Sequence, residues 1–284
     1  MKSKALIALI LSGGVIMAAC NADKDAAPAN TDKTQPETVD LQTEMEAYQA
    51  FAMEQMDHFL IETEKFVIAV KNGDIDKAKE IYPKARMYFE RSEPIAESFG
   101  DLDPRIDARL ADLEEEGQGK EDWSGYHKIE YGLWVENTTV GYEETADQLL
   151  KDAKELRARV ETVEVTPDLM ITGAVDLLNE VSTSKITGEE EIYSHTDLYD
   201  FKANIEGAEK IVEILKEKIK LKDAKLVDTL TAKFTDLNNL LAKHEDGSGN
   251  YISYEQLTKE DTKALAEAVN QLGEPLSQIG IIME

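Results

Sequence analysis

Cysteine is almost missing from this chain of 284 residues: Cys20 is the only one. No intrachain disulfide can form, so nothing covalent staples the fold. Histidine is scarce too, with four residues, and no two of them flank a glutamate as H-E-x-x-H. That removes the usual zinc-peptidase signature. Alternating polar and apolar runs of useful length are absent, which removes β-sandwiches and barrels. Positive charge is short as well: 31 basic side chains stand against 58 acidic ones, a formal net charge of −27. So acidic a surface excludes nucleic acid and direct adsorption to anionic lipid, and it favours cationic partners, metal ions among them.

What is present begins with a leader. Lys2 and Lys4 precede an apolar run from Ala5 to Ile16, too short for a permanent membrane helix, followed by Met17-Ala18-Ala19-Cys20. Residues 1–19 are expected to be a signal peptide. Cys20, directly after two alanines, resembles the lipobox cysteine of bacterial lipoproteins and is expected to be lipidated, although Met17 stands where leucine is usual. Residues 20–40, rich in Ala, Asp, Asn, Lys, Thr and Pro, are expected to be a flexible tether, having too few large apolar groups to offset the entropy of ordering.

The rest reads as all α. Leu41 to Val70 carries Met45, Tyr48, Ala52, Met56, Phe59 and Phe66 at helical spacing, and Gly73 stops it. Asp74 is a candidate cap for a helix from Ile75 to about Ser98, kinked or divided near Pro83 and Pro94. Asp103-Pro104 restarts the chain for a helix to Glu116. Asp122 is a candidate cap for the next helix, and Tyr142 to Val163 forms another. Thr166-Pro167 opens the second half. Thr187 with Glu190 reads as a capping box, and long helices follow to Ile219, His244 and Ile279. The fold expected is two packed antiparallel helical bundles, residues 41–165 and 166–284, with a ligand site in or between them. The loop from Asp246 fails as a calcium loop: position six is Tyr251, not glycine, and position twelve is Leu257, not glutamate. His58 and His244, without acidic partners at ligand spacing, are expected to be structural.

Chemistry gathers in W-S-G-Y-H-K-I-E-Y-G-L-W, residues 123–134. His127 and Glu130 share a helix face and can share one metal ion, with aromatic rings restricting solvent around them. Upstream, Glu90, Glu93 and Glu97 form a carboxylate stripe at i, i+3 and i+7, and Asp107 follows on the next helix. Carboxylates from neighbouring helices meeting a His/Glu pair suit iron, zinc or manganese. Arg86 and Arg91 are too few to neutralise five carboxylates, so a cation completes the group most simply.

Three segments then carry a resemblance: A-R-M-Y-F-E-R-S-E-P-I-A-E-S-F-G-D-L-D-P, G-Y-H-K-I-E-Y-G-L-W and K-I-T-G-E-E-E-I-Y-S-H-T-D-L-Y-D-F. In this order they resemble the imelysin-like EfeO/EfeM family of iron-uptake proteins, and within it the lipoprotein component of Fep-type systems of Gram-positive bacteria. The resemblance implies a two-bundle fold with an H-x-x-E metal site, here His127 and Glu130, with Glu90, Glu93 and Asp107 in the matching acidic segments. Glu97, His195, Asp197 and Tyr199 are candidates for a supporting or second site, or for capping and hydrogen bonding between bundles. It implies iron, ferrous or ferric, as the metal, with zinc or another divalent ion as alternatives. It implies a protein anchored on the outer face of the cytoplasmic membrane beside an iron permease and a haem-peroxidase partner. The cupredoxin domain of longer EfeO members finds no room before Leu41, and with it an oxidising role is not expected.

Three functions compete. An iron-binding receptor that passes iron to a permease uses the clustered carboxylates and His127. A metallopeptidase of the imelysin type is disfavoured, because Glu130 would itself be a ligand and no second histidine lies within a turn. A haem- or polysaccharide-binding surface lipoprotein would have only the same few histidines to offer haem.

Overall fold

The computed structural model describes residues 39–283. The expected leader, the lipidation site at Cys20 and all but the end of the tether lie outside the described residues. The described residues form one compact unit around a continuous apolar core.

Among the described residues there are eleven α-helices and no strand. Helix α1 (Gln42–Lys71) buries Tyr48, Ala52, Met56, Phe59, Phe66 and Val70 on one stripe. Gly73, with φ of 75°, turns the chain back. Asp74 then caps α2 (Ile75–Glu90) by accepting the Lys77 amide at 3.1 Å. Pro83 lies inside α2 without ending it. The break comes at Arg91 and Ser92, just ahead of Pro94, and α3 (Glu93–Ala96) follows. The expected stripe of Glu90, Glu93 and Glu97 is therefore split over the end of α2, α3 and a 3-10 turn at Glu97–Phe99. Pro94 has no amide to donate to the carbonyl of Glu90 four residues back, which accepts from the Asn204 side chain at 3.0 Å instead, and this accounts for the position of the break.

The single helix expected from Arg105 to Glu116 is two, α4 (Asp103–Asp107) and α5 (Leu110–Glu115), because Ala108 and Arg109 are extended. Asp103 is the first residue of α4 and caps nothing. Helix α6 (Gly125–Trp134) starts after Ser124, and Asp122 instead accepts from the Gly119 amide. Helix α7 (Glu143–Val160) packs on α1. In the second half, Thr166 caps α8 (Pro167–Thr183) by accepting from the Leu169 amide. A turn at Lys185–Thr187 and an irregular strap, residues 188–196, lead to α9 (Asp197–Lys222). The Thr187 hydroxyl bonds the Ser184 carbonyl. The expected capping box is not formed, and Glu190 turns inward instead. Helices α10 (Ala224–Leu241) and α11 (Lys259–Met283) complete the chain.

One group of helices is α1, α2, α6 and α7, and the other is α8 to α11. They meet where α9 packs on α2 and α3 packs on α8. Close approach there depends on Gly207 of α9, where a Cβ would sit 2.5 Å from the Arg91 carbonyl oxygen.

Candidate metal centre

The Trp123-Ser124-Gly125 segment sets the geometry. The Trp123 indole donates to the Ala108 carbonyl at 2.8 Å, and the Ser124 hydroxyl donates to the Arg105 carbonyl at 2.8 Å. Gly125 has φ of 79°, and a Cβ on it would lie 2.2 Å from the Ile106 carbonyl oxygen. Three consecutive residues thus stitch the start of α6 to the end of α4, which places Asp107 beside His127. His127 and Glu130 face the interior, both essentially without exposure.

His127 Nδ1 lies 3.1 Å from Glu130 Oε2 and 3.4 Å from the Tyr82 hydroxyl. Its Nε2 is buried and has no hydrogen-bond partner, with Asp107 Oδ1 at 3.8 Å and Glu190 Oε1 at 3.9 Å. An Nδ1–H donating to Glu130 leaves the Nε2 lone pair facing those two carboxylates. Glu130 Oε1 accepts the Tyr193 and Ser194 amides at 3.1 and 2.7 Å. Burial pushes the Glu130 carboxyl up, but the hydrogen bonds it receives, from His127 and from the Ser194 amide, outweigh it and hold it below its ordinary value. Two clusters of ligand atoms meet at His127: one with Asp107 and Glu190, the other with Glu130 and Glu191.

Behind His127 lies a buried ionic network that the sequence hides. Arg86, fully buried, pairs with Glu90 at 2.8 Å, with Asp107, with Glu191 at 2.6 Å, with Asp200 at 3.3 Å and with Glu190 at 3.5 Å. Lys185, also fully buried, lies 2.5 Å from Glu90 and 3.4 Å from Glu93. Asn204 donates to Glu90 and Glu93 at 3.1 and 2.8 Å. Arg91 does not join; it pairs with Glu206 at 2.6 Å. Glu90 and Glu93 are thereby held by Lys185 rather than turned to His127. Burial raises the carboxyls of Glu93, Glu191 and Asp200 well above their ordinary values, while Lys185 and Arg86 overcome burial at Glu90 and hold it low. Where acids outnumber cations at this density, protons supply the missing positive charge.

A cleft of about 240 Å³ opens onto this centre. Eight carboxylates line it, among them Asp107, Glu190, Glu93, Glu97, Asp103 and Glu180, against the single cation Arg109. Burial pushes Asp103 up to about 7, helped by the Asp107 charge, and Glu180 to about 7, against the Lys185 charge. Glu97 lies exposed at the rim, where it joins Glu93 and Glu180 in a third carboxylate cluster.

The His195 group is placed apart. Asp197 accepts the Glu191 amide at 3.1 Å, tying the strap to α9, and the Tyr199 hydroxyl accepts the Tyr251 amide at 3.1 Å. The His195 imidazole is 3.7 Å from Glu255. His58 stacks on Tyr88 with 5.2 Å between ring centroids. The residues missed by sequence reasoning are Lys185, Glu190, Glu191, Asp200 and Asn204. All fall within or just beyond the third quoted segment, which was the one signal pointing to them.

The imelysin (peptidase M75) family model matches residues 44–279. An Efem/EfeO family lipoprotein of Staphylococcus haemolyticus is 53% identical over 291 residues, 99% of this chain and 100% of its own. Another, from Staphylococcus aureus strain MSSA476, is 57% identical over 249 residues, 86% of each chain. A solved structure from Parabacteroides distasonis, described as a candidate iron-regulated protein A precursor, superposes with a TM-score of 0.63 at 16% identity. It covers 89% of this chain and 97% of its own, which shows the fold. Matched over its folded length by the imelysin model and over nearly its whole length by these lipoproteins, the chain belongs to the imelysin family and, within it, to the EfeO/EfeM lipoproteins.

Proposed function

We propose that this chain is the extracytoplasmic, lipid-anchored iron-binding component of an uptake system, capturing iron at His127 and passing it to a membrane permease. The observation that carries the reading is the unpartnered, buried Nε2 of His127 facing Asp107 and Glu190 at the floor of an acidic cleft. In this reading Nε2, Asp107 and Glu190 ligate the iron. Glu130, held by two strap amides, fixes the ring through Nδ1, as a carboxylate behind a ligating histidine does. The two carboxylate oxygens lie 3.8 and 3.9 Å from Nε2, close enough for one ion to be shared by all three, and the cleft concentrates cations at its mouth. The lipoprotein name of the relatives supports the anchor, and no helix among the described residues is long and apolar enough to cross a membrane.

Peptidase chemistry, which the family model's label names, fits less well. Each candidate ligand cluster that includes a histidine has His127 as its only one. Glu130, committed to His127 and two amides, is not free to activate a water.

The test is calorimetric titration of the soluble chain from Asn21 with ferrous iron without oxygen, with ferric citrate and with zinc. His127→Ala and Glu130→Ala are each expected to weaken iron binding at least tenfold, about 1.4 kcal/mol. Unchanged affinity in both variants, or no binding by the parent chain, overturns the reading.

A further inference from the structure

A second concavity, about 230 Å³, has the opposite character to the acidic cleft. Lys79 and Lys84 of α2 line one wall, and Ser194, His195 and Thr196 of the strap line another, with Ser253 nearby. Neither lysine has a carboxylate within ion-pair distance among the described residues; Lys79 lies instead 5.2 Å from the Trp134 ring centroid. The acids that reach the site are already engaged. Glu80, the only acid in the lining, pairs with Lys77 at 2.9 Å. Glu255 faces His195, and Asp246 turns onto the Ser248 and Asn250 amides of its own loop at 2.8 and 3.2 Å. In a chain with a net charge of −27, a hollow with two ammonium groups that no carboxylate neutralises, facing hydroxyl and imidazole groups, is a local reversal of sign.

We propose that this hollow binds a small, multiply charged oxyanion of the phosphate or polycarboxylate class. Lys79 and Lys84 supply charge, while the Ser253 hydroxyl and His195 supply directed hydrogen bonds. Two ammonium groups bind as point charges with no fixed fork, which suits a compact anion of either geometry. The strap gives the site a route to the metal centre. The Ser194 amide holds Glu130, and its hydroxyl lies 2.9 Å from Glu191 and 2.8 Å from the Thr196 hydroxyl. An anion that draws Ser194 or Thr196 out of this pairing therefore changes how firmly the strap holds Glu130 and Glu191, a link that rests on the iron reading above, whereas the anion site itself does not.

The experiment uses the metal-free soluble chain, titrated separately with inorganic phosphate and with tricarballylate, a tricarboxylate lacking the hydroxyl that makes citrate a strong iron chelator. Binding is expected for at least one, and the stronger of the two identifies the class. The double variant Lys79→Gln/Lys84→Gln is expected to weaken it at least tenfold. A control of equal charge change, Lys151→Gln/Lys154→Gln on the exposed face of α7, is expected to bind within twofold of the parent. Circular dichroism of both doubles confirms folding, since each lysine replaced lies at the surface or at its margin. No binding of either probe by the parent chain, equal binding by the Lys79/Lys84 variant, or equal loss in the control overturns the proposal. Because no metal is present, its failure is separate from failure of the iron reading.

Discussion

Lys185 has no exposed surface, yet it carries a full charge at the junction of Glu90, Glu93 and Glu180. Burial alone would lower its pKa, but the surrounding carboxylates reverse that and raise it well above the ordinary lysine value. Replacing it with methionine keeps the volume and removes the ammonium, leaving Glu90 to Arg86 and Asn204 alone. Breaking a buried pair from one side costs about 3–5 kcal/mol, so Lys185→Met is expected to shift the urea midpoint sharply downward. Adding Glu90→Gln to it is expected to restore part of the loss, since the orphaned charge is then gone. A parent-like midpoint for Lys185→Met, or no recovery in the double variant, shows that the pair does not act this way. This residue explains why only half of the site was legible. His127, Glu130 and Asp107 announce themselves by type and spacing. A lysine after a helix end carries no local signal, and Glu190 reads as half of a capping box, because nothing local tells that Glu190 and Glu191 fold inward onto Arg86, about a hundred residues away.

At the scale of elements, the ends that local chemistry fixes were legible: Gly73, the Asp74 cap and the Thr166-Pro167 start. The breaks at Ala108 and in the strap were not, because tertiary partners make them. The carbonyls of Arg105 and Ala108 are taken by Ser124 and Trp123, which helical periodicity cannot register. The same stitching makes Gly125 a test of how α6 is docked. Gly125→Ala carries the cost of a left-handed backbone, roughly 1–2 kcal/mol, plus a Cβ forced to 2.2 Å from the Ile106 carbonyl. Gly247 has almost the same backbone, with φ of 80°, but no atom within 4 Å of its added Cβ. Thermal denaturation of both alanine variants separates the two costs. Gly125→Ala is expected to lose several degrees more than Gly247→Ala and to bind iron more weakly, since Asp107 and His127 lose their register. Equal losses would mean that the close contact relaxes freely and that α6 is held from elsewhere.

Across the whole molecule, 58 acids stand against 31 bases, and the stability of the metal-free chain should carry that imbalance as a dependence on pH. Asp103 and Glu180 titrate at about 7 when folded, against 3.8 and 4.5 ordinarily. The folded state therefore holds their protons more tightly than the unfolded one, and stability falls as pH rises from about 4 to about 7, with the loss complete above that. Glu93, Glu191 and Asp200, raised by burial, act in the same direction. Glu90 and Glu130, held low, act in the opposite one: their stabilisation is present above the ordinary glutamate value and disappears as pH falls through their lowered ones. The metal-free chain is thus expected to be most stable in mild acid and to melt lower at a pH of about 8 than at about 5.5. A bound cation removes the need for the protons, so saturating zinc should raise the melting temperature more at the higher pH and flatten the profile. Differential scanning calorimetry of the chelator-treated chain, with and without zinc, reads this directly. A metal-free profile that rises steadily from pH 5.5 to pH 8 would mean that the buried acids are neutralised by something other than protons. A zinc effect equal at both ends would mean that the cation binds away from the acidic cleft.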